Sequence, residues 1–373
     1  MEYKYKFIAE CHKRGMKLIL DLVINHTSSE HQWFKESRSS KTNPKRDWYI
    51  WKPPHIDENG NRHPPKNWGS YLSGSVWKCD ETTDEIHEFH KEMFAQVTSK
   101  YDVMTVVEVG HSTREDALKY VSTKEKEMNM MFLFDVVQVG CQGEDRFRCK
   151  KFSLPEFKKA GTDAWATCYF ENHDQPRCIS RFGDASTKWR VKSGKLLATL
   201  LSVFTGTLFL YQGQEIGMVN VPRLNYYKLY VERNGEKDLD ALMHNIQLMA
   251  RDNAGTPVQW DVSANGGFPS GKLWMRVNDN YKEINAASQV DVPDSLCNIY
   301  KKALAFKEEY KDLFIYGKFD LLEFDKQKTM TMTMTMTKTK TGQGKTAFLS
   351  RSLWTVNEAT LGPWESRVYV VDN

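Results

Sequence analysis

Apolar residues along this chain fall into short strand-like runs separated by stretches with helical spacing. Phe7, Ile8 and Cys11 share one face of a predicted opening helix, and Gly15 is placed to end it before the strand Lys17-Leu18-Ile19-Leu20-Asp21-Leu22-Val23. The helical interval returns in Ile86, Phe89, Met93, Phe94 and Val97, and Met104 to Val109 follows as a strand. Further strands are expected near Met131 to Val137, Thr167 to Glu171 and Thr207 to Tyr211. Such alternation of helix and strand argues for a parallel sheet or barrel. The apolar stretch from Leu196 to Tyr211 falls short of a membrane span of about 20 residues and is interrupted by Thr205-Gly206-Thr207. It reads as a buried helix turning into a buried strand.

Two regions break the alternation. From Asn25 to about Trp77 the chain is polar, aromatic-rich and marked by Pro53-Pro54 and Pro64-Pro65, too long for an idle connection and of the kind that shapes a binding site. After the helix Lys301 to Glu309 come short strands, among them Ala347 to Ser350 and Arg367 to Val371. Between them Thr329 to Lys340 is a Thr-Met and Thr-Lys repeat, read as an expansion in a tolerant loop, although its period of two also fits a strand with Met on one face. The expected organisation is 1–24 as the start of a barrel, 25–80 as an insertion after barrel strand three, 81–312 as the rest of the barrel, and 313–373 as a small C-terminal β domain. The fold class is thus α/β, an incomplete (β/α)8 barrel with these additions.

Composition narrows the partners. Hydrophobic residues make up 40% and charged residues 27% of 373 residues, a soluble globular balance, and a net charge of +4 implies neither nucleic acid nor a membrane as partner. Seven scattered cysteines contain no C-x-x-C pair and fit a reducing, cytoplasmic compartment, and the N-terminal residues lack the apolar core of a signal peptide. Gly344-Lys345-Thr346 resembles the end of a phosphate-binding loop, but Thr339 stands where its first glycine is required, so nucleotide binding is discounted. No His, Asp or Glu set has metal-ligand spacing, and no cofactor is implied.

Chemistry concentrates at predicted strand ends, where α/β barrels place catalytic groups. Three such places carry carboxylates or Asn-His pairs: Asp21-Leu22-Val23-Ile24-Asn25-His26, Val107-Glu108-Val109, and Phe170-Glu171-Asn172-His173-Asp174-Gln175-Pro176-Arg177. In order, DLVINH, TVVEVG and FENHDQPR resemble the first, third and fourth signature regions of the α-amylase superfamily. Joined to SSEHQWFKESRSSKTNPKRDWYIW, IHEFHKEM, RFGD, GTLFLYQGQEIG and RDNAGTPVQW, they resemble the yeast-type maltases and isomaltases over most of the chain. The resemblance implies hydrolysis of terminal α-linked glucose from small α-glucoside sugars with retention of configuration.

By that resemblance Glu108 is the general acid/base, a role in which burial would keep it protonated near neutrality, and Asp174 is the carboxylate that grips sugar hydroxyls and stabilises the oxocarbenium-like transition state. His26 and His173 would hydrogen-bond the first glucose, and Arg251 would orient carboxylates or hydroxyls. Asp21 reads as a structural strand-end carboxylate, while His111, Asp135 and Arg177 stay open between pocket and structural roles.

The nucleophile has no counterpart. The family's second region, a G-F-R-x-D segment on barrel strand four, is absent, and the residues ending at Asp84-Glu85 run directly into IHEFH, which in the family follows that strand. An internal deletion at Glu85/Ile86 is the simplest account, and with the first two strands also missing about five of eight barrel strands remain. Gly255 stands where relatives carry a second arginine and Val107 where they carry glycine. The expectation is an α-glucosidase-family chain without turnover, the alternatives being a non-catalytic sugar-binding remnant or an incomplete gene record.

Overall fold

The computed structural model describes residues 2–22, 27–28, 30–53, 55–63, 85–109, 114–122, 124, 126–132, 134, 137, 141–142, 145–149, 167–222, 247–268, 270–315, 318–325, 329–335, 345–351 and 367–372. The chain divides into two compact units, Met1–Phe89 and His90–Asn373.

In the first unit, α1 (Glu2–Lys13) ends with Lys13 and Arg14 both bonded to Glu10 at 2.6 Å, and Gly15 adopts a left-handed φ of +68° that stops the helix. Cys11 is buried, but Phe7 is exposed and Ile8 only half-buried, so the expected apolar face is narrower than its spacing suggested. The predicted strand from Lys17 to Val23 is corrected. Residues 16–22 form no strand, and Ile19, Leu20 and Leu22 stand in solvent, because a strand needs a neighbour to satisfy its backbone and none of the described residues supplies one.

The insertion has structure of its own. In α2 (Gln32–Ser39), capped by His31 Nδ1 accepting from the Trp33 amide at 3.2 Å, Phe34 stacks on Trp51 at 5.7 Å. Arg46 lies 4.1 Å over the Trp51 ring, whose Nε1 donates to the buried Ser37 hydroxyl at 2.9 Å. A small antiparallel pair, β1 (His55–Ile56) and β2 (Arg62–His63), closes around Asp57. The His63 hydrogen bond first, then bonds from Asn61, hold the Asp57 carboxyl down at about 2.

The second unit opens with the remainder of α3 (Glu85–Gln96), continues through α4 (Arg114–Val121) and carries the parallel strands. β3 (Val106–Glu108) and β4 (Met130–Phe132) pair parallel with Glu108 beside Phe132, and Asn129 Oδ1 accepts from the Thr105 amide at 2.8 Å to fix the start of the pair. β7 (Thr167–Cys168) and β8 (Thr207–Leu208) form a second parallel pair; between them in sequence lie β5 (Cys141–Gln142) and β6 (Asp145–Cys149), an antiparallel hairpin. Thr167 Oγ1 donates to the Met131 carbonyl at 2.9 Å, and Phe132 meets Tyr169 at 5.7 Å and Phe209 at 4.8 Å. The four strand ends therefore stand in chain order, each shorter than predicted.

Around β7 and β8 pack α5 (Cys178–Phe182), α6 (Arg190–Val203), α7 (Leu296–Glu309) and α8 (Lys311–Phe314), with Ile179, Leu201, Leu296 and Phe314 at the centre of the apolar core. The apolar run from Leu196 is a buried helix as expected, but Thr207 and Leu208 of its strand are only half-buried. Gly194 is required by close helix packing: a Cβ there would meet Leu296 Cδ2 at 2.8 Å and Ile179 Cδ1 at 2.9 Å. No helix among the described residues is long and apolar enough to cross a membrane.

Toward the C-terminus β9 (Lys318–Asp325), β10 (Thr329–Thr335), β11 (Lys345–Arg351) and β12 (Arg367–Asp372) form an antiparallel sheet in the order β12-β11-β10-β9. This corrects the loop reading of the repeat from Thr329: its first seven residues are an interior strand paired on both sides, with an irregularity against β9 between Thr331 and Met332. Thr is a strand former and the period of two matches the pleat, which outweighs the low complexity.

Candidate active site

Beyond β7 the chain turns through Phe170-Glu171-Asn172-His173-Asp174. Asn172 Oδ1 accepts from the Asp174 amide at 2.8 Å, an Asx turn that fixes the direction of the carboxylate. Asp174 Oδ1 pairs with Arg251 Nη2 at 2.7 Å and Oδ2 faces His173 Nε2 at 3.4 Å. Three of the five predicted site residues thus meet at one half-exposed carboxylate.

Arg251 is delivered by the tight turn Arg251–Asn253, which Asn253 secures from below: fully buried, it donates to the carbonyls of Gln247 and Ala250 and accepts from the Val221 amide at 3.0 Å. Two positions after this turn, Gly255 is packed from the side, since a Cβ would meet Met275 Sδ at 3.0 Å, and its carbonyl accepts from the exposed Trp274 indole at 2.8 Å. A side chain larger than glycine here requires Met275 to shift.

Beneath the turn lies a buried ion pair that the sequence left undecided. Arg177, wholly buried, reaches Glu171 Oε1 at 3.4 Å and the Gln212 carbonyl at 2.7 Å, and sits 5.3 Å from the Tyr211 ring centre. The Cys178 amide donates to the other Glu171 oxygen. Burial pushes the Glu171 carboxyl above its usual range despite the opposing Arg177 charge and the Cys178 bond. Arg177 is therefore a support under the loop that carries His173 and Asp174. The signal for Glu171 and Asn172 was their place in the same loop motif, which drew attention to His173 and Asp174 alone.

Glu108 stands at the C-terminal end of β3, where a barrel presents catalytic groups, but it is exposed, which corrects the expectation of a buried acid. Among the described residues β3 pairs only with β4, so no described strand covers its other side. His26, His111 and Asp135 lie outside the described residues. The described residues contain no group of three or more His, Cys, Asp or Glu arranged to hold a metal ion.

Residues 1–87 and 83–317 match the family of the alpha amylase catalytic domain. An alpha-glucosidase of Candida albicans is 45% identical over 489 residues, covering 98% of this chain and 85% of that protein. An oligo-1,6-glucosidase of Saccharomyces cerevisiae is 34% identical over 503 residues, covering 98% and 84%. Among solved structures, a mutant of isomaltulose synthase from Erwinia rhapontici in complex with D-glucose superposes with a TM-score of 0.85 at 27% identity over 98% of this chain and 85% of that one. Trehalose-6-phosphate hydrolase from Bacillus licheniformis gives 0.83 at 28% identity over 99% and 86%.

Fold and relatives together define the class, an α/β protein of the glycoside hydrolases. Within it the chain belongs to the alpha-amylase family, in the branch of the α-glucosidases and oligo-1,6-glucosidases. The 489 residues aligned with the Candida protein exceed the 373 of this chain, so that relative carries interior segments with no counterpart here. The family match stops at residue 87 and restarts at 83, in the stretch that holds Glu85 and Ile86.

Proposed function

We propose that this chain binds a terminal α-linked glucose through Asp174, Arg251 and His173 but does not hydrolyse it. The observation that carries the reading is the Asp174 cluster: a carboxylate fixed by an Asx turn, with a guanidinium 2.7 Å away and an imidazole 3.4 Å away, offers both donors and acceptors to vicinal sugar hydroxyls. Retaining hydrolysis needs a second carboxylate as nucleophile, about 5–5.5 Å from the proton donor. Glu108 is the donor by family position, but the segment that supplies the nucleophile is absent from the sequence, so no glycosyl-enzyme can form. The interior gap relative to the Candida enzyme and the restart of the family match support a deletion at Glu85/Ile86 and a barrel short of its fourth strand. Thiols at Cys11, Cys168, Cys178 and Cys297 suit a cytoplasmic setting.

Isothermal titration of glucose and maltose into the whole protein tests the binding half. Saturable binding that weakens at least about tenfold in Asp174→Asn, with unchanged circular dichroism, is expected. A folded protein that binds neither sugar would remove the reading.

A further inference from the structure

Asp174 and Arg251 lie on segments far apart in sequence, and their 2.7 Å bond lasts only while the two segments keep one separation. A side chain from a third segment spans them. Asn220 Oδ1 accepts from the Arg177 amide at 2.9 Å, at the foot of the Asp174 loop where α5 begins. Its Nδ2 donates to the carbonyls of Gln247 and Leu248, each at 3.0 Å, on the approach to the Arg251 turn. Both N–H bonds of the amide thus meet carbonyls and its oxygen meets an N–H, an arrangement that neither aspartate nor leucine of the same size can reproduce. The backbone of Asn220 is itself held, its amide donating to Ser180 Oγ at 2.9 Å and its carbonyl accepting from the buried Asn278 at 3.2 Å. The grip is returned one residue on, where the Val221 amide donates to Asn253 Oδ1 inside the Arg251 turn at 3.0 Å.

We propose that Asn220 is a positioning residue for sugar recognition, setting the gap between Asp174 and Arg251 and acting through them rather than by contact with the sugar. The inference rests on the sugar-binding reading of that pair. Recognition by a carboxylate and a guanidinium together needs each held to within about 0.5 Å, which their own side chains do not secure. On the far side of the turn Tyr211 Oη donates to the Ala254 carbonyl at 3.1 Å and Arg177 Nη2 reaches it at 3.5 Å. Asn220 ties the near side, before Arg251, so the turn is anchored at both ends to the structure that carries Asp174.

Hydrogen exchange of the whole protein without sugar tests the tether. Asn220→Asp keeps an acceptor for the Arg177 amide but turns a carboxylate onto the Gln247 and Leu248 carbonyls. The Asn253, Ala254 and Gly255 amides, which close the turn, should then exchange at least about tenfold faster while the Arg177 amide stays protected. Asn220→Ser removes both halves of the bridge and should expose the Arg177 amide as well; leaving room for water, it also serves if the Asp variant fails to fold. Maltose titration, followed by NMR so that millimolar affinities are readable, tests the positioning. Each variant should bind at least about tenfold more weakly than wild type, yet in an Arg251→Ala background the same substitutions should cost less than about twofold, because the group they displace is gone. A merely structural role costs affinity equally in both backgrounds. Unchanged exchange at Asn253 to Gly255, or equal losses with and without Arg251, would overturn the proposal. Wild type that binds no maltose would instead sink the sugar reading, and the exchange pattern would still decide whether Asn220 holds the two segments.

Discussion

Asp174 and Arg177 lie three positions apart on one loop and carry opposite kinds of responsibility. Asp174 is half-exposed, so its pairing with Arg251 is screened by water and contributes little to stability. Replacing it by Asn should leave the melting temperature nearly unchanged while sugar affinity falls. Arg177 has no exposure at all, and its removal strands the Glu171 charge in the core. Arg177→Ala is therefore expected to cost about 3–5 kcal/mol of stability, read from the denaturant midpoint, with an unchanged slope if the loss is local. A variant as stable as wild type would show that Glu171 takes up a proton and tolerates the loss. In the sequence these residues differ only by neighbourhood: the loop motif was legible, and which of its members faces water was not, since nothing local distinguishes a buried arginine from a site arginine.

Among the elements, α6 and α7 pack against each other in the apolar core, and one lysine interrupts the apolar character of that contact. Lys307, nearly buried, donates to the carbonyls of Ser202 and Phe204 at the end of α6 and to that of Phe314 at 3.1 Å. Burial lowers its ammonium to about 8, with the Cys168 thiolate a smaller opposing influence, while the Cys168 thiol is itself pushed up to about 11 by burial. The unfolded lysine binds its proton up to about 10.4, so between about pH 8 and 10 the unfolded state holds more protons and stability rises with pH. Thermal melts of wild type against Lys307→Met should show wild type gaining on the variant across that window; a constant difference would contradict it. Gly194→Val, which drives two methyls into Leu296 and Ile179, should lose about 1–3 kcal/mol by overpacking. The parallel strands were readable as apolar runs in the right order. Their lengths were not, because a strand lasts only as long as its neighbour: Val106–Glu108 stops where β4 stops, and Lys17–Leu22 has the residues of a strand but no mate among the described residues. The repeat at Thr329 failed in the other direction, a low-complexity tract made into a strand by β9 and β11 on either side.

For the whole molecule, the family's chemistry is distributed over strand ends, and this chain keeps some of them. The loop after β7 and the turn at Arg251 are assembled on a buried core, whereas Glu108 ends a strand with one described neighbour and stands in solvent. Retaining hydrolysis needs a second carboxylate beside the proton donor, and the proposed loss of that partner leaves Glu108 with nothing to assist. The proposal therefore separates sugar binding from turnover in this chain. The measurement that tests this most directly is hydrolysis of an aryl α-glucoside by the purified whole chain beside its Glu108→Gln variant. Release at the buffer rate, identical in both proteins, is predicted; release well above it that disappears in Glu108→Gln would show a working nucleophile and contradict the account.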